Sequence, residues 1–284
     1  MSLDLLSLVA VAQNQRGSYT GQCMSGAGLR VFGGQVVAQA LYASALARPQ
    51  EALPHSVHAH FLAPGEVARP MTYAVQQLKV GRRFVVSRVD AHQGDLLVAS
   101  VVVSFHVPEA SPEHAVLAPV VPAPEQCPPL PVAVVGGPSQ AFGPIESRWV
   151  AADPQPEAGV GDGGPNDDGG ANDTAPSLRL WQRCRSPLSP DPVLHACGIV
   201  WMSDLTMTRV VDLPYSRLGG RRTAASLDHT VWLHRPIRAD EWVLSVQQSP
   251  TFAAGRGLTT VRYFSRQGEL VASGSQESLL RRDW

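Results

Sequence analysis

The chain says nearly the same thing twice, as GDLLVASVVVSF at residues 94–105 and as GELVASGSQESL at 268–279. Three further pairs occur in the same order: HAHFLAP before and at Pro64 with TVWLHRP before and at Pro236, YAVQQL (73–78) with LSVQQS (244–249), and GRRF (81–84) with GRGL (255–258). Matches in register, at offsets of about 172 residues, mark a duplicated unit, and the fold must then be two copies of one plan. Each copy opens on an apolar run of helical length, GGQVVAQALYASALA (33–47) and PVLHACGIVWMSDL (192–205). Stretches rich in Val, Ile, Tyr and Phe follow, parted by the glycine turns KVGRR, HQGD and RQGE, as expected of consecutive antiparallel strands. Both helical runs are apolar nearly all round and so belong inside the protein. The expected fold is α+β, one central helix wrapped by an antiparallel sheet, built twice.

Between the copies the composition changes. Residues 107–138 are proline-rich and read as an extended linker, and 151–176 are rich in Gly, Asp and Asn, with too few apolar side chains to order them. The Asp spacing in 151–176 fits no EF-hand register. SLRLWQRC (177–184) reads as a strand rejoining the second sheet. The expected division is a first repeat at 1–108, linker and insertion at 109–176, and a second repeat at 177–284.

A net charge of -1 argues against nucleic-acid binding, which leaves a basic footprint. No apolar run is long enough to span a membrane. MSLDLLSLVAVAQ carries Asp4 and no basic start, so it reads as a short amphipathic helix rather than a signal peptide. Cys23, Cys127, Cys184 and Cys197 are scattered, without metal-ligand spacing, and are expected to be reduced thiols of a cytoplasmic protein. His58 and His60 share a strand face, but neither an acid nor a thiol stands near them in sequence, and structural histidines are the expectation.

The repeats differ in a few polar positions, and these carry the functional reading. Ala99, Val101, Val103 and Phe105 share one strand face, which should press on the helix. Their counterparts are Ala272, Gly274, Gln276 and Ser278, so Gln276 is expected to point inward. Asp204 ends the second helix where the first has no acid, and Ser226 answers to Pro54. Separately, each has a plainer explanation: a surface amide, a cap for the following turn, a local hydrogen-bonder. Together, carboxylate, hydroxyl and amide can hold and deprotonate one water.

VFGGQVVAQAL, HSVHAHFLAPG, SLDHTVWLHRP and GELVASGSQE resemble the acyl-CoA thioesterase II family over roughly 28–108 and 190–282. The resemblance implies a double hotdog, two helix-in-sheet units side by side, and hydrolysis of acyl-CoA to fatty acid and coenzyme A. It also implies a catalytic set of Asp204, Ser226 and Gln276, with no cofactor and no metal. The expected partners are the acyl-CoA substrate and further copies of the chain, as a dimer or tetramer. Gly33 and Gly34 at the first helix start would let substrate approach the backbone, with Gln35 beside them. Arg256 either touches coenzyme A phosphates or sits in a hairpin. The alternatives are a non-catalytic acyl-CoA binder and a hotdog hydratase or dehydratase, which would need an Asp and a His, such as His229, facing the groove.

Overall fold

A computed structural model gives the structure of residues 4–24, 30–49, 51–67, 69–131, 142–151, 175–216 and 222–282. The first repeat runs β1 (Ala12–Gln15), β2 (Ser18–Gly21), α2 (Gly33–Leu46), β3 (Leu53–Phe61), β4 (Met71–Val80), β5 (Phe84–Gln93) and β6 (Leu96–His106), preceded by α1 (Leu5–Val9). The second runs β7 (Ile145–Val150), β8 (Ser177–Cys184), α3 (Pro192–Ser203), α4 (Met207–Asp212), β9 (Arg222–Ser226), β10 (Asp228–Leu233), β11 (Val243–Ala253), β12 (Arg256–Ser265) and β13 (Leu270–Arg282). The N-terminal helix is only five residues long, with Leu5 and Val9 buried one turn apart.

The strands form one continuous antiparallel sheet, ordered β1-β2-β4-β5-β6-β3 and then β10-β13-β12-β11-β8-β7, with β9 also on β13. The second half mirrors the first. β3 and β10 join the halves, and their register pairs Asp228 with His60 and Trp232 with Ser56. Shifting either pair by about 172 residues produces the other, so the join is a local two-fold between the copies. β7 lies inside the stretch expected to be linker and pairs with β8 from Ile145–Cys184 to Val150–Arg179, so the second repeat includes strand sequence before 177. The Gly/Asp-rich insertion lies largely outside the described residues.

The expected faces are the observed ones. Ala99, Val101, Val103 and Phe105 are all fully buried, as are Ala272, Gln276 and Ser278. α2 and α3 lie against each other within the curved sheet, the Cys197 thiol donating to the Ala38 carbonyl at 3.4 Å. Gly198 is required here: a Cβ would stand 2.7 Å from that of Ala239. The described part of the linker, 107–131, is extended apart from one 3₁₀ turn at Pro124–Gln126. It covers the outer face of the second half, where the Trp181 indole N–H donates to the Pro122 carbonyl at 2.9 Å and Arg266 pairs with Glu125. Beneath it Trp181, Trp242, Leu244 and Phe264 form a second apolar cluster.

Candidate active site

One corner of the second repeat collects the polar residues that distinguish it. α3 ends at Ser203, and Asp204 is its C-cap with αR backbone (φ -87°, ψ -7°). Its carboxylate does not cap the following turn. Asp204 Oδ2 accepts the backbone N–H of Gly34 at 2.7 Å, and Oδ1 accepts the Ser226 hydroxyl at 3.3 Å. The carboxylate thus bridges the end of one central helix and the start of the other. Phe32, the N-cap of α2, packs on Trp201 with ring centroids 5.2 Å apart, seating the helix start beside Asp204.

Both glycines at that start are needed small. A Cβ on Gly33 would meet Asp204 Oδ2 at 2.8 Å and the Phe61 ring at 2.9 Å, and one on Gly34 would meet the Phe32 ring at 2.6 Å. An N–H at a helix start lacks an intrahelical partner, so it is available to an anion.

Ser226 reaches the site through a register shift. β13 pairs with β9 at Ser278–Ser226 and with β10 at Ser275–Thr230, and one extra residue fits in between. Residues 226 and 229 would face opposite ways in a regular strand, and the bulge lets both point inward. β3 carries the matching irregularity between Pro54 and Ser56, so the device belongs to both copies.

Gln276 is fully buried and fully partnered. Its Nε2 donates to Ser226 Oγ at 2.9 Å, with Thr208 Oγ1 at 3.1 Å and Ser278 Oγ at 3.2 Å also in reach. Its Oε1 lies 2.7 Å from His229 Nδ1, and His229 Nε2 lies 2.8 Å from Ser203 Oγ. Gln276 therefore donates a hydrogen bond to Ser226, which donates one to Asp204, a chain of donors pointing at the carboxylate. Burial is the largest influence on Asp204 and holds its carboxyl above the ordinary range; His229, the Gly34 N–H, Ser226 and Gln276 pull the other way without cancelling it.

Of the residues expected from sequence, Gly33, Gly34, Asp204, Ser226 and Gln276 meet at this corner. Gln35 does not join them. Its Oε1 accepts the Met24 N–H at 2.8 Å, and its Nε2 donates to the carbonyls of Leu8 and Gln22, so it pins the N-terminal segment. Arg256 is half exposed and paired with Glu277 at 3.1 Å. Glu277 follows Gln276 on β13 and faces the other way, which makes Arg256 a hairpin residue of the outer surface. His58 lies 3.4 Å from Thr230 Oγ1 and stacks edge-on with Trp232. Thr208 and His229 were not read as members of the set. Comparing the copies one position further would have found His229, since it stands where the first repeat has Val57.

Helix-in-sheet units joined edge to edge, with one acidic corner between the two helices, define a double-hotdog protein. Two family models cover most of the chain: the acyl-CoA thioesterase N-terminal domain matches residues 21–106 and the C-terminal domain 124–280. Acyl-CoA thioesterase 2 of Haemophilus influenzae is 32% identical over 89% of this chain and 88% of its own. Human acyl-coenzyme A thioesterase 8 is 30% identical over 89% and 81%. The crystal structure of acyl-CoA thioesterase II TesB2 from Mycobacterium marinum superposes with a TM-score of 0.80 at 30% identity, covering 98% of this chain and 97% of that one. The chain belongs to the acyl-CoA thioesterase family, whose reaction is hydrolysis of an acyl-CoA thioester. A dehydratase domain of PpsC from Mycobacterium tuberculosis shares the fold alone, with a TM-score of 0.55 at 12% identity.

Proposed function

We propose that this thioesterase hydrolyses fatty acyl-CoA by direct attack of a water activated by Asp204. The observation that carries the reading is the donor chain Gln276–Ser226–Asp204, which ends on a carboxylate held above its ordinary pKa. A base of raised pKa takes a proton from water more readily. Ser226, fixed by Gln276, holds the water beside Asp204, and the water oxygen attacks the thioester carbon as its proton passes to Asp204. The negative charge forming on the carbonyl oxygen is met by the backbone N–H of Gly33 at the start of α2, the Gly34 N–H being held by Asp204. Collapse breaks the C–S bond. The departing thiolate belongs to an acid with a pKa of about 8.5, so it leaves without a dedicated general acid. Asp204 then returns its proton, and the products are fatty acid and coenzyme A.

A dehydratase reading needs a histidine that reaches substrate. His229 is fully buried, with both ring nitrogens taken up by Gln276 and Ser203. A binder that does not cut has no use for the donor chain. A cytoplasmic location and a homo-oligomeric state belong to the same proposal; Leu78 and Val80, exposed on β4, support the second, and sedimentation measures it.

Ser226 separates water attack from covalent catalysis. Its hydroxyl donates to Asp204, as a serine nucleophile would to its base, and a nucleophilic role would lead to an acyl-enzyme. Ser226→Thr is expected to keep most of the free-thiol release from acyl-CoA. Ser226→Ala should lose roughly 10–10³-fold in kcat, as when a positioning group is removed. Mass spectrometry during turnover should find no acylated protein; an acyl group trapped on Ser226 would refute direct attack.

A further inference from the structure

The orientation of the Gln276 amide decides whether Ser226 can serve Asp204. With Nε2 toward Ser226, the serine accepts from Gln276 and must give its own proton onward. With the amide turned over, its oxygen would face Ser226 and draw that proton away from Asp204. Ser226, Thr208 and Ser278 surround the Nε2 end, and all are hydroxyls, which can donate as well as accept. They do not choose between the two orientations. His229 does.

We propose that His229 is a positioning residue of this site, a buried donor whose Nδ1–H fixes the Gln276 amide so that Ser226 is left to donate to Asp204. The assignment rests on the reading of Asp204, Ser226 and Gln276 given above. His229 is fully buried, and its Nδ1 meets Gln276 Oε1 at 2.7 Å. An amide oxygen only accepts, so the proton there belongs to the imidazole. The far side of the ring decides the tautomer. Ser203 Oγ lies 2.8 Å from Nε2 and 2.8 Å from the Val200 carbonyl. If Ser203 donates to Nε2, the ring is the neutral Nδ1–H form and the amide is oriented as proposed. If Ser203 donates to Val200 instead, a neutral ring holds its hydrogen on Nε2 and leaves a bare Nδ1 to accept from a turned amide. In the first arrangement, the one proposed, the Gln276 oxygen faces Nδ1. Neither ring nitrogen is free for substrate, so the residue acts through Gln276.

The test uses three variants of the full chain, each assayed by free-thiol release and checked for folding by circular dichroism. Asn places an amide nitrogen near the Nδ1 position, Gln places one near Nε2, and Leu supplies none. His229→Asn is expected to stay within about fivefold of the parent kcat, while His229→Gln and His229→Leu fall roughly 10–10²-fold at nearly unchanged KM. In a Gln276→Ala background, His229→Leu should cost less than about threefold more, because there is no amide left to orient. If the leucine variant does not fold, the Asn–Gln contrast carries the test. Equal losses in both backgrounds, equal activity of the Asn and Gln variants, or a loss confined to KM would overturn the assignment. Asp204→Asn run alongside separates the two failures: an inactive Asp204 variant beside a fully active His229→Leu sinks this assignment alone, whereas an active Asp204 variant sinks the site itself.

Discussion

In the first repeat Val57 faces Val103 across β3 and β6; in the second, His229 and Gln276 stand at the matching places on β10 and β13. Pro54 becomes Ser226, and an acid is placed at the end of α3. Strand order, bulge and buried helix are common to both copies. The frame therefore does not require polar residues at this corner, since the first copy fills it with close-packed apolar side chains. The second buries polar groups that would each be costly in isolation, and tolerates them because they satisfy one another and α4 supplies Thr208. A partnered polar set inside an otherwise apolar frame is what the proposed mechanism rests on.

The comparison can be broken by making the second repeat resemble the first. Gln276→Val, copying Val103, should lower kcat roughly 10–10³-fold, because Ser226 loses its fixed donor and His229 and Thr208 lose a partner. Free-thiol release measures it, and activity within a few-fold would remove Gln276 from the set.

The reverse exchange should damage the fold and gain nothing. Val103→Gln puts an amide against Val57 with only the Ser87 hydroxyl across the β5 strand to partner it, and should lower stability by about 2–4 kcal/mol in urea unfolding. A fully stable variant would mean that the first repeat has room for polar groups or water, and the contrast between copies would weaken.

The smallest effect sharpens the account of Asp204. Its folded pKa is raised, so between the ordinary and the raised value the folded state holds more proton than the unfolded one. Stability then falls as pH rises through that window, and the full penalty remains above it. Asp204→Asn should accordingly raise the melting temperature at neutral pH, with the gain vanishing in acid below the ordinary Asp range. A gain that grows toward acid would contradict burial as the dominant cause.

Much of this was legible because the protein contains its own comparison. The repeat gave strands and faces, and the glycines of HQGD and RQGE do adopt positive φ, 63° at Gly94 and 89° at Gly268. Asp204, Ser226 and Gln276 stood out because the other copy lacks them. What stayed hidden depends on spatial register. The bulge that turns Ser226 and His229 to one side has no signature in composition, and α4 with Thr208 has no counterpart among the described residues of the first repeat to measure it against. β7 was hidden by the proline-rich sequence before it. Gln35 misled because a buried amide beside a glycine pair looks the same in sequence whether it holds ligand or chain; here it holds the backbone at Leu8, Gln22 and Met24.

The central claim, one catalytic corner per chain and that corner centred on Asp204, is tested most directly by Asp204→Asn. Asn keeps the volume, and its one oxygen can still accept from Gly34 while its amide nitrogen donates to the Ser226 hydroxyl, so the fold and the groove should persist while the base is lost. The account predicts a fall in kcat of about 10²-fold or more, with acyl-CoA still bound at near-parental affinity by calorimetry. Turnover within a few-fold of the parent would place the chemistry elsewhere in the molecule and contradict it.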